Sequence, residues 1–213
     1  SSIGIIELML IKHTVVSVDK LTPSILNLVL KRNDGQPFYT FQPGQYATLS
    51  FYANGRPSVE RCFSIASSPT TQDRLEFGVR IGGKYTQAIN KLKAGDSVNV
   101  RGPFGGFVFD APQQQNVVFC AGGIGITPFM SMLRFASTTN LKNNITLLYS
   151  VRNQDEVAYY KEINQIATLH PNIRVFFVVG EGPIDKIHLS NYIFQGRINP
   201  EMLAKACDEN YKN

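Results

Sequence analysis

The sequence predicts two domains, an antiparallel β-barrel in residues 1–111 and an α/β domain with a parallel sheet in residues 112–213. Three observations lead to this prediction. Short apolar runs separated by turn residues fill the first half, apolar runs alternate with helical patterns in the second half, and a polar segment with a proline, residues 110–115, separates the two. A chain of 213 residues is long enough to form two cores.

Six runs in the first half have the composition of short strands. They are Val15–Val18, Ile25–Leu30, Tyr46–Phe51, Cys62–Ile65, Leu75–Ile81 and Ser97–Val100. Turn residues such as Asn33-Asp34-Gly35 and Ala94-Gly95-Asp96 separate them. Strands of this length and spacing are typical of a small antiparallel barrel. One helix is predicted among them, because Tyr85, Ala88, Ile89 and Leu92 recur at helical spacing.

The second half alternates strands and helices. Three continuous apolar runs, Val117–Ala121, Ile145–Tyr149 and Ile173–Val179, are typical of strands buried on both faces. Helical spacing connects them in residues 129–136 and 160–167, and a last short helix is expected in residues 200–207. This β-α-β-α-β-α series predicts a parallel sheet.

Charge and composition exclude several classes of protein. The net charge is +5, of which +4 lies in residues 1–112, and no cluster of lysine and arginine is present. Scattered positive charge suits a small polyanion, and we expect no nucleic-acid partner. No apolar run approaches the length of a membrane span, so we expect no span in this chain.

The cysteines and histidines indicate neither a disulfide framework nor a metal site. Three widely spaced cysteines cannot form a paired framework or a closed zinc site, and they favour a reducing, cytoplasmic location. We expect Cys62, Cys120 and Cys207 to be small core residues. The three histidines lie near no partner motif and are expected at the surface; they are His13, His170 and His188.

The strongest local motif is Gly122-Gly123-Ile124-Gly125-Ile126-Thr127-Pro128, which follows a predicted buried strand and begins a helix. Its glycines allow a tight turn and close approach of a ligand. Thr127 is expected as the N-cap and Pro128 as the first helical residue. Free amides at a helix start favour a bound phosphate, although a purely structural turn stays possible.

A second motif, Gly82-Gly83-Lys84-Tyr85-Thr86, also connects a strand to a helix. It combines backbone donors, a cation and a hydroxyl, which is suitable for a second anion site. A turn with a solvated lysine is the structural alternative.

A third motif is Arg61-Cys62-Phe63-Ser64, in which Arg61 and Phe63 share one face of a strand. A cation beside an aromatic ring can hold the phosphate and the ring of one ligand. A core phenylalanine beside a surface arginine is the alternative.

These motifs, together with Gly102-Pro103-Phe104-Gly105, resemble in order and spacing those of the ferredoxin–NADP(+) reductase-like flavoenzymes. The resemblance covers about residues 10–207. It implies a Greek-key barrel that binds FAD, followed by a domain that binds NAD(P)H. Phe104 and Phe107 are then assigned mainly to closure of the barrel.

The resemblance implies roles for the residues of the first domain. Arg61 and its neighbour Cys62 would lie at the flavin phosphate, Phe63 would stack on the isoalloxazine where the family usually has tyrosine, and Ser64 would hydrogen-bond near flavin N5. The remaining FAD contacts would be backbone groups of Val79, Arg80 and Ile81, and the loop of Gly83, Lys84, Tyr85 and Thr86 at the pyrophosphate. Ser64, Phe63 and Thr127 are the expected catalytic residues.

In the second domain the resemblance assigns the nicotinamide nucleotide to Gly122, Gly123, Gly125, Thr127 and Pro128. The segment Ser150-Val151-Arg152 follows the second strand, where an arginine accommodates the 2′-phosphate of NADP(H) and an acid accepts the ribose hydroxyl of NAD(H). Arg152, assisted by Arg197, slightly favours NADP(H). Glu181 stands where NADPH-using members often have another arginine.

One departure from the family concerns the end of the chain. The family has a further strand with a Cys-Gly-Pro segment, and the chain stops at Asn213 before it. The chain is expected to be a fragment of a longer protein, or else a shortened member, and the sheet would then expose an edge.

The expected function is a flavin-dependent oxidoreductase that passes hydride from NAD(P)H to FAD N5 and electrons to a protein or small-molecule acceptor. The acceptor partner would be a carrier protein or a fused redox domain. Two alternatives stay open. The chain could be a flavin-holding electron-transfer module of a larger protein, or a basic interaction domain without a cofactor.

Overall fold

A computed structural model describes residues 10–36, 40–53, 55–187 and 192–207 of the chain. Its first half contains seven strands and one helix. They are β1 (Ile11–Lys20), β2 (Ile25–Arg32), β3 (Tyr46–Ala53), β4 (Arg56–Pro57), β5 (Arg61–Ser64), β6 (Leu75–Arg80), α1 (Lys84–Ile89) and β7 (Ser97–Phe104).

The seven strands form one antiparallel sheet, in which β7 joins strands that are distant in sequence. β7 lies between β3 and β1, while β2 pairs with both β1 and β6. The sheet curls until its ends meet. At the meeting point the Ala66 amide, just after β5, donates to the Glu76 carbonyl of β6 (2.7 Å). The predicted antiparallel barrel is therefore confirmed.

The second half forms a four-stranded parallel sheet with helices on it. Its elements are β8 (Asn116–Gly122), α2 (Ile126–Thr138), β9 (Asn144–Val151), α3 (Tyr160–Leu169), β10 (Ile173–Val179), β11 (Tyr192–Gln195) and α4 (Pro200–Cys207). The strand order is β11-β10-β9-β8, and every pairing is parallel. The sequence analysis missed the short β11, and among the described residues β8 pairs with β9 alone.

Apolar cores stabilise both halves. Leu28, Leu49 and Phe77 lie inside the barrel, and Leu133, Tyr149 and Phe177 are buried between the parallel sheet and its helices. Each fully buried side chain of this size contributes about 1.5–3 kcal/mol. None of the helices in the described ranges is long and apolar enough to cross a bilayer.

Several buried and exposed positions differ from the sequence analysis. Cys62 and Cys120 are exposed and Cys207 is half-buried, because the first two lie beside open cavities rather than inside a core. His13 is buried, with 1% of its surface exposed, because it shares the inner face of β1 with Val15 of the barrel core. His170 is half-buried and its Nε2 lies 2.8 Å from Ser137 Oγ, whereas His188 lies outside the described residues.

Phe104 lies beside Tyr46 at the end of the barrel, with ring centroids 5.6 Å apart, whereas Phe107 does not close the barrel. The Phe107 side chain is 61% exposed, and its ring meets Phe129 of α2 edge-on at 5.7 Å between centroids. It therefore reaches across to the second domain, because the chain has already left the barrel sheet at Phe104.

The two domains are joined by a buried network of charged and polar groups. Arg134 of α2 contacts Glu162 of α3 (Nε–Oε1 2.6 Å) and Glu76 of the barrel (Nη1–Oε2 3.2 Å). It also donates to the Ala66 carbonyl (2.9 Å). Asn27 donates to Glu76 (2.9 Å) and accepts from the Tyr159 hydroxyl (3.2 Å). This set of residues is called the domain-joining network below.

The charge on Glu76 is set by opposing effects. Burial raises the pKa of its carboxyl, but Arg134, Asn27 and Arg74 together outweigh burial and hold the pKa below its ordinary value. A carboxyl with a lowered pKa in the folded state stabilises the fold above its unfolded-state pKa. That stability is lost as the pH falls through the folded-state pKa.

A close backbone approach accompanies the network. Gly78 in the middle of β6 faces the second domain, and a Cβ built on it would lie 2.3 Å from Thr127 Cγ2 and 2.8 Å from the Tyr159 hydroxyl oxygen. Only glycine permits this contact. Ser131 of α2 adds an interdomain hydrogen bond to the Ser67 carbonyl (2.7 Å).

We expect Arg134→Met to lower the free energy of unfolding by about 3–5 kcal/mol at pH 7, because it leaves the Glu76 carboxylate buried without its main cation. Burial then raises the pKa of Glu76, so the deficit relative to wild type should shrink as the pH falls from 7 to about 5. Urea denaturation at several pH values measures both effects.

The control for this variant is Arg101→Met, which removes the exposed ion pair with Glu60 (2.9 Å). Exposed pairs contribute about 0–1 kcal/mol, so this change should be small. Equal losses in the two variants, or a deficit for Arg134→Met that does not change with pH, would contradict the buried network.

We expect Gly78→Ala to lower the free energy of unfolding by about 1–3 kcal/mol, because the new methyl group must displace Thr127 or Tyr159. Gly106→Ala is the matched control, since a Cβ there meets nothing within 4 Å. Its effect should stay within about 0.5 kcal/mol. Thermal and urea denaturation measure both variants, and similar behaviour of the two would refute the close approach.

Candidate functional site

Three adjoining cavities form one cleft along the boundary of the two domains. The barrel cavity, about 670 Å³, lies between β5 and α1, and the sheet cavity, about 860 Å³, lies at the carboxyl edge of the parallel sheet. The junction cavity, about 400 Å³, lies between them. It shares Cys62 and Phe63 with the barrel cavity, and Arg80 and Ile124 with the sheet cavity.

The barrel cavity contains both predicted motifs of the first domain. β5 pairs with β3, so that Arg61, Cys62 and Phe63 are held opposite Leu49, Thr48 and Ala47. The three β5 residues line the cavity together with the predicted loop residues Gly83, Lys84, Tyr85 and Thr86. Two exposed cations, Arg61 and Lys84, therefore face one space beside the Phe63 ring.

Tyr85 fixes α1 on the barrel. Its hydroxyl donates to the Leu49 carbonyl of β3, and burial raises its pKa to about 12. Its ring lies nearly parallel to that of Phe63, with centroids 6.1 Å apart. Because the hydroxyl is used inside the protein, Tyr85 contributes its ring and its backbone to the cavity.

Thr86 shapes the loop before α1. Its hydroxyl accepts from the Gly82 amide (3.0 Å) and donates to the Gly83 carbonyl (3.1 Å). Gly82 and Gly83 have open space where a Cβ would stand. A ligand can therefore approach the loop backbone closely.

The junction cavity brings residues of both domains face to face. Phe63 and Ser64 line it from the barrel, and Gly125, Thr127 and Pro128 line it from the start of α2. Among the described residues, no side-chain hydrogen-bond partner is seen for Ser64 Oγ. The expected catalytic residues, Ser64, Phe63 and Thr127, thus line one space of about 400 Å³.

The start of α2 differs from the sequence prediction. Thr127 is not the N-cap and Pro128 is not the first helical residue, because α2 begins at Ile126 after a single 3-10 turn at Gly123–Gly125. The Thr127 hydroxyl donates to the Ile124 carbonyl (3.0 Å) inside this turn. The 3-10 turn brings the helix start forward, so Thr127 lies in its first turn, where its side chain is buried.

The glycine loop after β8 presents an open backbone. Gly123 has a positive φ of 50°, and a Cβ at Gly122 or Gly125 would meet nothing within 4 Å. A Cβ on Gly123 would lie 3.0 Å from a guanidinium nitrogen of Arg80. The barrel therefore supplies a cation directly over the loop of the second domain.

Arg80 is held in this place by a further interdomain contact. Its Nη2 lies 3.5 Å from Glu156 Oε2, which also accepts from the Ser24 hydroxyl (2.6 Å). Backbone groups of Arg80 were predicted at the cleft, but the position of its side chain was not, because its partner Glu156 is distant in sequence. Val79 is buried and, like Ile81, lines none of the three cavities, so their predicted backbone roles stay predictions.

The sheet cavity collects the remaining predicted residues. Gly122, Gly123, Ser150, Arg152 and Arg197 all line it. Ligands of open parallel sheets bind at the carboxyl ends of the strands, which is where these residues lie. Arg152 is not alone there, because its Nε lies 3.3 Å from Glu181 Oε2.

Some site residues gave only a weak signal in the sequence. Gly78 interrupts an apolar strand run, and an isolated glycine in a strand indicates a close backbone approach. Ile198, which lines the sheet cavity, has no distinguishing pattern, and Ile124 was noted only as part of the glycine motif and not as a lining residue. Only the tertiary structure brings them to the cleft.

Each half of the chain matches a known family of domains. Residues 7–109 match the family described as oxidoreductase FAD-binding domain. Residues 119–212 match the family described as oxidoreductase NAD-binding domain.

Two curated relatives have similar sequences. One is the ferredoxin–NAD(P)(+) reductase component of the naphthalene 1,2-dioxygenase system of Pseudomonas putida. It is 32% identical over 83% of this chain and 52% of that protein. Ferredoxin–NADP reductase B of Sorangium cellulosum is 30% identical over 78% of this chain and 68% of that protein. The chain thus spans about half of the length of the Pseudomonas relative.

A solved structure has the same fold. The cytochrome b5 reductase domain of Ulva prolifera nitrate reductase superimposes with a TM-score of 0.79 over 93% of this chain and 82% of that chain, at 18% identity. The two matched domains, the Sorangium relative and this fold together show that the chain belongs to the ferredoxin–NADP(+) reductase-like family of flavoenzymes.

Proposed function

We propose that this chain is the flavin- and nicotinamide-binding part of an NAD(P)H-dependent oxidoreductase that passes electrons to a further acceptor. The continuity of the cleft is the observation that carries the proposal. Predicted flavin residues and predicted nicotinamide residues line the same junction cavity, so the two rings could meet there.

The barrel cavity has the donor set that FAD requires. Arg61 and Lys84 supply positive charge for phosphates, the loop at Gly82 and Gly83 supplies an open backbone, and Phe63 supplies a flat apolar ring. Ser64 lines the junction cavity, where its hydroxyl would donate a hydrogen bond to a ring atom of the bound flavin. Cys62 lines both cavities as a small, exposed side chain.

The second domain has the donor set for NAD(P)H. The open backbone at Gly122 and Gly125, with Arg80 above it, suits a pyrophosphate, and Thr127 and Pro128 border the space for a nicotinamide ring. When bound, the two cofactors supply the hydride chemistry, in which the nicotinamide is the donor and flavin N5 the acceptor.

The protein contributes positioning. Gly78 lets α2 approach the barrel until Thr127 and Ser64 line one space, and the domain-joining network holds this approach. Holding two reacting groups in contact lowers the barrier by supplying their orientation in advance. Phe63 and Ile124 give the junction cavity apolar walls.

The electron acceptor is proposed by class only. The named Pseudomonas relative is a ferredoxin–NAD(P)(+) reductase component of a dioxygenase system. We infer a carrier protein or a fused redox domain as the partner here, and a cytoplasmic location stays a prediction.

We expect FAD-saturated protein to lose its oxidised-flavin absorbance when NADPH or NADH is added without oxygen. The reason is that predicted flavin residues and predicted nicotinamide residues line one junction cavity. An anaerobic spectrophotometric titration with each nucleotide measures the change.

Two other outcomes of this titration have different meanings. Flavin that binds and stays oxidised would replace the proposal by the electron-transfer module. Protein that binds no flavin would refute the proposal and leave a cofactor-free interaction domain.

We expect Ser64→Ala to slow flavin reduction in single-turnover experiments by about three- to tenfold, the equivalent of one hydrogen bond, while FAD affinity stays within about twofold. Stopped-flow absorbance and flavin fluorescence measure the two quantities. Ser97→Ala is the control, because Ser97 is exposed on β7 and lines none of the three cavities. An unchanged reduction rate in Ser64→Ala would remove the role of this hydroxyl.

A further inference from the structure

A chain of three polar side chains crosses the domain boundary beside the glycine loop. Ser24 lies in the turn between β1 and β2, Arg80 ends β6, and Glu156 ends a short 3-10 turn after β9. The Ser24 hydroxyl donates to Glu156 Oε2 (2.6 Å), and the same oxygen lies 3.5 Å from Arg80 Nη2. The carboxylate of the second domain therefore connects a hydroxyl and a guanidinium that both belong to the barrel.

The barrel backbone places Ser24 beside the end of β6. The Ser24 carbonyl accepts from the Ile81 amide (2.8 Å), and Ile25 is the strand partner of Arg80. The Thr22 hydroxyl accepts from the Ser24 amide (3.3 Å) and from the Ile25 amide (3.0 Å), which fixes the turn between β1 and β2. The side chains of Ser24 and Arg80 thus begin from fixed, neighbouring positions.

The second domain holds Glu156 from its own side. Gln154, in the same 3-10 turn, is buried. Its Nε2 donates to Asp185 Oδ1 (2.6 Å), and its Oε1 accepts from the Lys186 amide (2.8 Å). The Glu156 carboxylate therefore projects from a turn that is fastened to the segment after β10.

The contact between Arg80 and Glu156 orients the guanidinium without occupying it. At 3.5 Å it is longer than a charge-assisted hydrogen bond, so the N–H groups of Arg80 stay available to a ligand. The Arg80 side chain is 49% exposed, and an arginine at such a position has many rotamers when no partner holds it. The same nitrogen, Nη2, would lie 3.0 Å from a Cβ on Gly123. Glu156 thus favours the rotamer that lies over the glycine loop.

We propose that Glu156 and Ser24 are positioning residues, which hold Arg80 over the glycine loop before a nucleotide binds. Neither residue lines any of the three cavities, so both act through Arg80 and not on the ligand. A side chain that is ordered in advance does not have to be ordered on binding, and affinity increases accordingly. The contact between the domains thereby sets nucleotide affinity. The proposal rests on the function proposed above.

The test uses the FAD-saturated protein and ADP-ribose, which has the pyrophosphate of NAD(P)H but no nicotinamide and so cannot reduce the flavin. We expect Glu156→Gln to weaken ADP-ribose binding by about three- to tenfold, the cost of ordering one long side chain on binding. Ser24→Ala should weaken it by a smaller factor, because the carboxylate is still present. Isothermal titration calorimetry measures these affinities.

Glu60→Gln is the matched control. Glu60 also lies between an arginine and a hydroxyl, since it contacts Arg101 Nη2 (2.9 Å) and accepts from Thr48 Oγ1 (2.6 Å). It lines none of the three cavities. Its substitution should change ADP-ribose affinity by less than about twofold, as expected for an exposed pair away from the ligand.

A double-mutant cycle distinguishes positioning from a merely structural role. Arg80→Gln should weaken ADP-ribose binding, and Glu156→Gln added to Arg80→Gln should change it by less than about twofold, because Glu156 acts through the guanidinium. A residue that only joined the domains would weaken binding by the same factor in both backgrounds. The midpoint of thermal unfolding of Glu156→Gln should stay within about 2–4 °C of wild type.

Stopped-flow reduction of the flavin gives a second measurement. Because NADPH and NADH both contain the pyrophosphate, Glu156→Gln should raise the apparent Kd of both by the same factor. The limiting rate at saturating nucleotide should change by less than about twofold, since the rings meet elsewhere in the cleft and only binding is affected.

The outcomes separate this inference from the function on which it rests. If both nucleotides reduce the flavin, the positioning role is wrong when Glu156→Gln binds ADP-ribose as tightly as wild type or more tightly, or when it loses the same factor with and without Arg80. The oxidoreductase then stands. If ADP-ribose does not bind and neither nucleotide reduces the flavin, both proposals fail.

Discussion

Arg134 extends from α2 towards the barrel, where its guanidinium contacts Glu76, Glu162 and the Ala66 carbonyl. Burial by itself would lower the pKa of this arginine, but the two carboxylates outweigh burial and raise it. A charge buried in this way is stable only while its partners are present. The relative position of the domains therefore depends on this side chain, together with the interdomain contacts of Tyr159 with Asn27 and of Ser131 with Ser67.

The cleft depends on this position. The junction cavity is the central part of the cleft, and neither domain forms it alone. Phe63 and Ser64 line it from the barrel, and Thr127 and Pro128 line it from α2. Gly78 permits the approach and the domain-joining network holds it. A shift of about 1 Å between the domains would matter for a reaction that requires contact between two rings.

Local patterns predicted the strands that are buried on both faces, β9 and β10, because a continuous apolar run has few alternative structures. β8 was predicted as a strand, but burial on both of its faces was wrong, because Cys120 is exposed and Val117 and Val118 are only half-buried. β11 was missed since Tyr192–Gln195 is short and its only described strand partner is β10. The predicted cap at Thr127 was wrong because a 3-10 turn moved the helix start, which no residue pattern indicates. Long-range pairs such as Asn27 with Tyr159 arise only when the domains meet.

The two kinds of ion pair in this molecule fit two different tasks. The side chains of Arg134 and Glu76 are 14% and 11% exposed. Breaking such a pair leaves a buried charge without a partner, so the two side chains stay in contact. The side chains of Arg152 and Glu181 are mostly exposed, and separating such a pair costs little free energy. Either side chain can therefore turn towards a ligand. The distribution of burial thus makes the contact between the domains rigid and leaves the side chains at the carboxyl edge of the parallel sheet adaptable.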